Sequence, residues 1–151
     1  METIDREKAA KVWQRVKGEQ PAPRPEEGLT EMIAQEWTDA ATYLQLSRHF
    51  QGAQSVLLRK MYEQEQAHTA CLKGIYTLTT GKRPAVKAVP PPQGDPEQIL
   101  RRCYGREMQS LARYEARTGD AEYGQVFARM AEQEREHCRM VLELLGRVNK
   151  R

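Results

Sequence analysis

Four stretches of the chain carry apolar residues at the three-and-four spacing of an α-helix, and each stripe is broken near its middle by an ionisable side chain. The first holds Leu29, Ile33, Ala40, Tyr43, Leu44, Ser47 and Phe50, with Glu36 between Ile33 and Ala40, and stops at Gln51-Gly52. The second, over about residues 54–79, places Leu57, Leu58, Met61, Leu72, Ile75 and Tyr76 inward around Glu65 and His68. The third, over about 96–117, carries Ile99, Leu100, Cys103, Leu111 and Tyr114 around Glu107, and opens on Asp95 as N-cap with Pro96 in its first turn. The fourth, over about 121–148 after a tight turn at Gly119-Asp120, carries Tyr123, Phe127, Met130, Val141, Leu144 and Val148 around Glu134 and His137.

The connections set the topology. Short turns after the first and third helices imply two antiparallel hairpins, and the proline-rich residues 83–95 between them imply a crossover along the bundle. The expected fold is all-α, a four-helix bundle over residues 28–151. Residues 1–27 form a separate arm. Within it Ile4, Val12, Trp13 and Val16 predict a short amphipathic helix over 4–17, and Pro21-Ala-Pro-Arg-Pro25 reads as a stiff linker. A chain of 151 residues suits one domain with a core of this size.

Composition removes several classes of function. No apolar run approaches the roughly 20 residues that span a bilayer, so no membrane association is expected. The mixed-charge N-terminus lacks the apolar segment of a secretory signal, and cytoplasm is the expected compartment. Three cysteines, Cys71, Cys103 and Cys138, are an odd number without any Cys-x-x-Cys, which argues against a disulfide framework and against a zinc or rubredoxin-type site. The net charge of +3 is mild and the basic residues are interleaved with acids, which gives no footprint for nucleic acid.

Six ionisable groups thus point into one core. Glu65 and His68, like Glu134 and His137, are three residues apart, so each pair shares a helix face and can converge on one ion. Uncompensated burial of four carboxylates costs several kcal/mol per ion, enough to erase the stability of an ordinary domain. Cations are therefore expected among them. At a rise of about 1.5 Å per residue, Glu36 and Glu65 lie at similar distances from the first turn, and Glu107 and Glu134 lie within about one helical turn of each other from the second. The halves also repeat: Tyr43 follows Glu36 by seven residues, and Tyr114 follows Glu107 by seven. A pseudo-twofold bundle around two metal ions is the simplest reading. Mostly oxygen donors with one imidazole per ion suit iron or manganese better than zinc, and two divalent ions balance four carboxylates.

Phase separates these residues from the many surface acids. Glu132 and Glu136 fall off the stripe that carries Glu134, and the same test prefers Glu65 to Glu63 and Glu36 to Glu31. Tyr43 and Tyr114 are candidates for orienting the carboxylates, with plain core packing as the competing role. The cysteines lie within a turn of the ligands but read more simply as small buried groups. His49, near a helix end and without a glutamate partner, reads as surface.

Over residues 29–148 this pattern resembles the rubrerythrin family of the ferritin-like di-iron carboxylate superfamily. The handful of residues Val126-Phe-Ala-Arg-Met-Ala131 ahead of Glu134 adds to the likeness. The resemblance implies a ferritin-like bundle holding two iron ions, with manganese as the variant. Glu36 and Glu107 would be terminal ligands, Glu65 and Glu134 bridging ligands, and His68 and His137 the imidazoles. It further implies an oxidoreductase of oxidative stress, a homodimer, that reduces hydrogen peroxide or oxygen; ferritin-type iron oxidation and di-manganese catalase are the alternatives. Two departures stand out. Ser110 occupies the position, three after Glu107, where the family usually has another glutamate, and no rubredoxin domain is present. Electrons would then come from a separate donor such as a rubredoxin-like protein.

Overall fold

The computed structural model describes residues 26–148, so the helix expected at 4–17 and the linker at 21–25 lie outside the described residues. Within them lie four helices, α1 (Leu29–Ser47), α2 (Ala53–Thr80), α3 (Pro96–Glu115) and α4 (Gly124–Val148), and no strand. The all-α four-helix expectation therefore holds. No described helix is long and apolar enough to cross a membrane.

Helix ends follow local chemistry. The Asp95 side chain accepts from the backbone N–H of Gln98, capping α3 ahead of Pro96. Gly81 ends α2 at φ 73°, a left-handed conformation that a side chain disfavours. Two ends differ from the sequence pattern. The apolar stripe of α1 runs on to Phe50, but the N–H groups of Arg48 and His49 bond back three residues to Gln45 and Leu46, tightening the chain out of the α-helix. The turn between α3 and α4 is wider than Gly119-Asp120, occupying residues 116–123. The Asp120 carboxylate holds it by accepting from the N–H groups of Glu122 at 2.9 Å and Tyr123 at 2.7 Å. Gly124 starts α4 where a Cβ would lie 2.4 Å from the Thr118 carbonyl oxygen, so only glycine fits.

The helices pack mainly as α1 with α2 and α3 with α4. Tyr43 of α1 reaches Glu107 of α3, and the earlier Glu36 reaches the later Tyr114, so these two helices run antiparallel. The core is split in two. One cluster gathers Leu46, Phe50, Leu58, Met61, Leu100, Val141 and Leu144; the other gathers Leu29, Ile33, Leu72, Ile75, Phe127 and Met130. Each fully buried side chain of this kind is worth roughly 1.5–3 kcal/mol. Because α2 finishes beside the second cluster and α3 starts beside the first, residues 81–95 must run the length of the bundle. Val86 packs on the second cluster, whereas the Pro92 carbonyl accepts from Gln45 of α1 nearer the other end.

Most inward residues are those the periodicity selects. Leu44 is an exception: it is half-buried and borders a groove of about 430 Å³ with Trp37, Tyr62 and Lys73. Leu46, two positions on, takes the buried place instead.

Candidate metal centre

Between the two apolar clusters lies a layer built from one or two ionisable residues per helix. Glu36, Glu65, His68, Glu107, Glu134 and His137 are each 0–3 % exposed, and the structure brings all six together. They form two overlapping groups. Glu36, Glu65, His68 and Glu134 present ligand atoms all within 4.8 Å of one another, and so do Glu65, Glu107, Glu134 and His137. Glu65 and Glu134 belong to both.

The imidazoles turn Nδ1 toward the carboxylates. His68 Nδ1 lies 2.8 Å from Glu134 Oε1, 3.5 Å from Glu65 Oε2 and 3.6 Å from Glu36 Oε2. His137 Nδ1 lies 2.7 Å from Glu65 Oε1, 3.5 Å from Glu107 Oε2 and 3.9 Å from Glu134 Oε1. The ring centroids are 6.1 Å apart, so each imidazole serves one group.

Both tyrosines reach carboxylates, and they do so across the bundle. Tyr43 of α1 donates to Glu107 Oε1 on α3 at 2.5 Å, and Tyr114 of α3 donates to Glu36 Oε1 on α1 at 2.8 Å. Each bond occupies one carboxylate oxygen and leaves the other, Oε2, facing the layer without a hydrogen bond. Burial, reinforced by the adjacent carboxylates, pushes both phenols well above their ordinary pKa, so they remain donors.

Electrostatics show what the layer needs. Glu36 Oε2, Glu65 Oε2, His68 Nδ1, Glu107 Oε2 and both Glu134 oxygens are buried without a hydrogen-bond partner. Leaving one such group unsatisfied costs about 1–3 kcal/mol, and more when it is charged. Burial, and then the charges of Glu65 and Glu107, raise the Glu134 carboxyl well above its usual range; burial and Glu65 raise Glu107. Burial also favours a neutral Glu65, but the hydrogen bond from His137 and the nearby His68 imidazole outweigh it and hold that carboxyl down to about 2. Cations placed among these atoms would satisfy all of them at once. The donor set, four carboxylates and two imidazoles, is compatible with a metal site.

Ser110 is buried, yet it stands outside both groups, its hydroxyl accepting from the Gln35 amide at 3.0 Å. His49 is exposed, as its position near the helix end implies. The cysteines are free; burial pushes Cys138 up to about 11 and raises Cys71 and Cys103, which makes each a poor nucleophile.

Several residues around the centre were not evident from the periodicity. Asp39 is 1 % exposed and pairs with Arg106 at 2.5 Å. Gln35 donates to the Arg106 carbonyl at 2.9 Å. Gln64 and Gln133 contact the imidazoles from outside. A signal was present: Gln35, Arg106, Gln64 and Gln133 each directly precede one of the four glutamates. A residue one step before an inward side chain is turned about 100° around the helix, toward the neighbouring helix.

Compared with protein-family models, curated proteins and solved structures, the chain matches none of them.

Proposed function

We propose that this protein is a non-haem di-iron oxidoreductase resembling rubrerythrin, built on a ferritin-like bundle, that reduces hydrogen peroxide or oxygen with electrons from a separate donor protein. The observation that carries the reading is the pair of overlapping four-residue groups that share Glu65 and Glu134. Such sharing is what two ions held by common bridging carboxylates require, and a single-ion site has no use for it. The bundle order agrees, with two antiparallel pairs joined by a connector that runs end to end.

In this reading Glu36 and His68 would hold one ion and Glu107 and His137 the other, with Glu65 and Glu134 available to both. Two ferrous ions bound there would supply the two electrons that cleave an O–O bond. The protein's part is geometric. Tyr114 and Tyr43 fix the terminal carboxylates by one oxygen each, so the free oxygen is already aimed inward. The apolar clusters above and below keep bulk water from the layer, which strengthens every charge interaction inside it. Ser110, hydrogen-bonded to Gln35, offers no carboxylate, so it would add no seventh ligand to these six. Residues 1–151 contain no Cys-x-x-Cys pair that could carry electrons to the centre, which is consistent with a separate donor.

Anaerobic loading with Fe(II), a metal count per chain and stopped-flow mixing with peroxide or with oxygen test the proposal. Two ions per chain and faster oxidation by peroxide support it. Fewer than about one ion per chain would sink it, and particle sizing that shows a hollow many-subunit shell would favour iron storage instead.

A further inference from the structure

Behind each imidazole stands a glutamine from the other helix of the α2–α4 pair. His137 of α4 meets Gln64 of α2, with Nε2 and Oε1 2.6 Å apart; His68 of α2 meets Gln133 of α4, with Nε2 and Oε1 2.5 Å apart. The sequence around them repeats as Glu63-Gln64-Glu65 ahead of His68 and Glu132-Gln133-Glu134 ahead of His137. Each glutamine lies four residues before the histidine of its own helix, yet its amide crosses to the histidine of the other. The exchange follows the same pseudo-twofold as the crossed tyrosines.

We propose that Gln64 and Gln133 are positioning residues of the centre, each fixing the tautomer and the aim of the imidazole across from it. The proposal rests on the two-ion reading above. A neutral imidazole has one N–H and one lone pair. The glutamine carbonyl oxygen faces Nε2 and can only accept, so Nε2 carries a hydrogen. In the metal-free chain His137 Nδ1 carries one too, bonded to Glu65 Oε1 at 2.7 Å, and an ion would displace that hydrogen and take the Nδ1 lone pair. Nδ1 is the atom that points at the carboxylates in both histidines. Both glutamines are half-buried and both imidazoles buried, so the amides also stand between the rings and solvent. Partners of this kind typically change metal affinity 10–100-fold.

The assignment is site-specific, and that separates it from simple packing. Gln64→Leu should weaken the ion shared by His137 and Glu107, and Gln133→Leu the ion shared by His68 and Glu36. Cobalt(II) titration against a competing chelator, with the full chain, reads both sites. The wild-type protein should take two ions; each leucine variant should lose about 10–100-fold in affinity at one site and less than about threefold at the other. Gln64→Glu, which keeps an accepting oxygen, should restore affinity to within a few-fold. Long-range ¹H–¹⁵N spectra of the imidazoles in the metal-free chain give a second readout: the Nε2–H resonance of His137 should move upfield and exchange faster with water in Gln64→Leu, and that of His68 in Gln133→Leu. If wild type binds no cobalt, the two-ion reading fails. If wild type binds two ions and the leucine variants bind them equally well with unchanged imidazole spectra, the glutamine assignment fails on its own.

Discussion

Tyr43 of α1 donates its phenolic hydrogen to Glu107 Oε1 of α3 at 2.5 Å, while Glu107 Oε2, on the same carboxylate, faces the buried carboxylate and imidazole layer with no hydrogen bond. One residue thus divides a carboxylate into a held oxygen and an offered one. Tyr43→Phe removes the hold without changing ring packing. It should lower affinity at the Glu107–His137 site by about tenfold and leave the Glu36–His68 site nearly unchanged, with Tyr114→Phe giving the reverse. Calorimetric titration with cobalt(II) checks this; an equal loss at both sites in either variant would count against it.

Ligands and surface acids should part sharply under substitution. Glu65→Ala and His137→Ala remove fully buried donors and should abolish the absorbance of the oxidised centre. Glu63→Ala alters an exposed residue two positions from Glu65 and should leave that absorbance nearly intact. A damaging Glu63→Ala beside a harmless Glu65→Ala would refute the inward assignment.

Glu134→Gln should show that the layer is built for ions and not for stability. Both Glu134 oxygens are buried without a hydrogen bond, and burial beside Glu65 and Glu107 disfavours their charge. A neutral isostere removes that cost, so the metal-free variant should be more stable than wild type by about 1–2 kcal/mol at pH 8. The same variant should no longer gain stability from added iron or cobalt. Urea melts with and without metal measure both; a destabilised metal-free variant would contradict the account.

How much of this was legible in the sequence depended on which way a side chain points. Glu36, Glu65, Glu107, Glu134 and the two histidines could be read because each sits on an apolar stripe, where a charged residue is out of place. Tyr43 and Tyr114 were legible as inward residues, but an apolar stripe gives no pairing between helices, so their crossed partners were not. Gln64, Gln133, Gln35 and Arg106 lie off the stripe at the helix–helix seams. There a polar residue looks like any solvated one until the packing is known. Asp39 was missed for a related reason, since its burial depends on Arg106 arriving from another helix.

Arg106→Met should uncover that dependence. Asp39 Oδ1 pairs with Arg106 Nε at 2.5 Å, and the carboxylate is buried while the arginine side chain is 36 % exposed. Removing a partner from a fully buried pair costs about 3–5 kcal/mol; partial exposure here brings the expected loss to about 2–3 kcal/mol. Asp39→Asn in the same background should recover part of it, because the orphaned charge is gone. Chemical denaturation of the two single variants and the double variant provides the cycle, and strictly additive losses would show that the pair is not coupled.

The dependence of stability on pH should differ between metal-free and metal-loaded protein. In the chain stripped by chelator, burial lowers the His137 pKa, but the adjacent Glu107 carboxylate and the hydrogen bond that His137 donates to Glu65 outweigh it and raise the pKa from 6.5 to about 9. A group raised on folding stabilises fully below its unfolded pKa and loses that contribution as pH rises through the folded one, so His137 supports the fold up to about pH 6.5 and ceases to near pH 9. Asp39, raised from 3.8 to about 7 by burial against the pull of Arg106, has the same sign, as do Glu107 and Glu134. Glu65 opposes them, since its contribution is present above pH 4.5 and is lost on acidification toward about 2. Metal-free protein should therefore be most stable in mild acid and weaken steadily toward pH 9. Bound divalent ions need deprotonated ligands, so their affinity grows over the same interval. The separation between the two melting temperatures should widen from pH 5.5 to pH 9 when followed by circular dichroism with and without cobalt(II). A separation that stays constant over that range would mean that the buried carboxylates and imidazoles do not take up the ions.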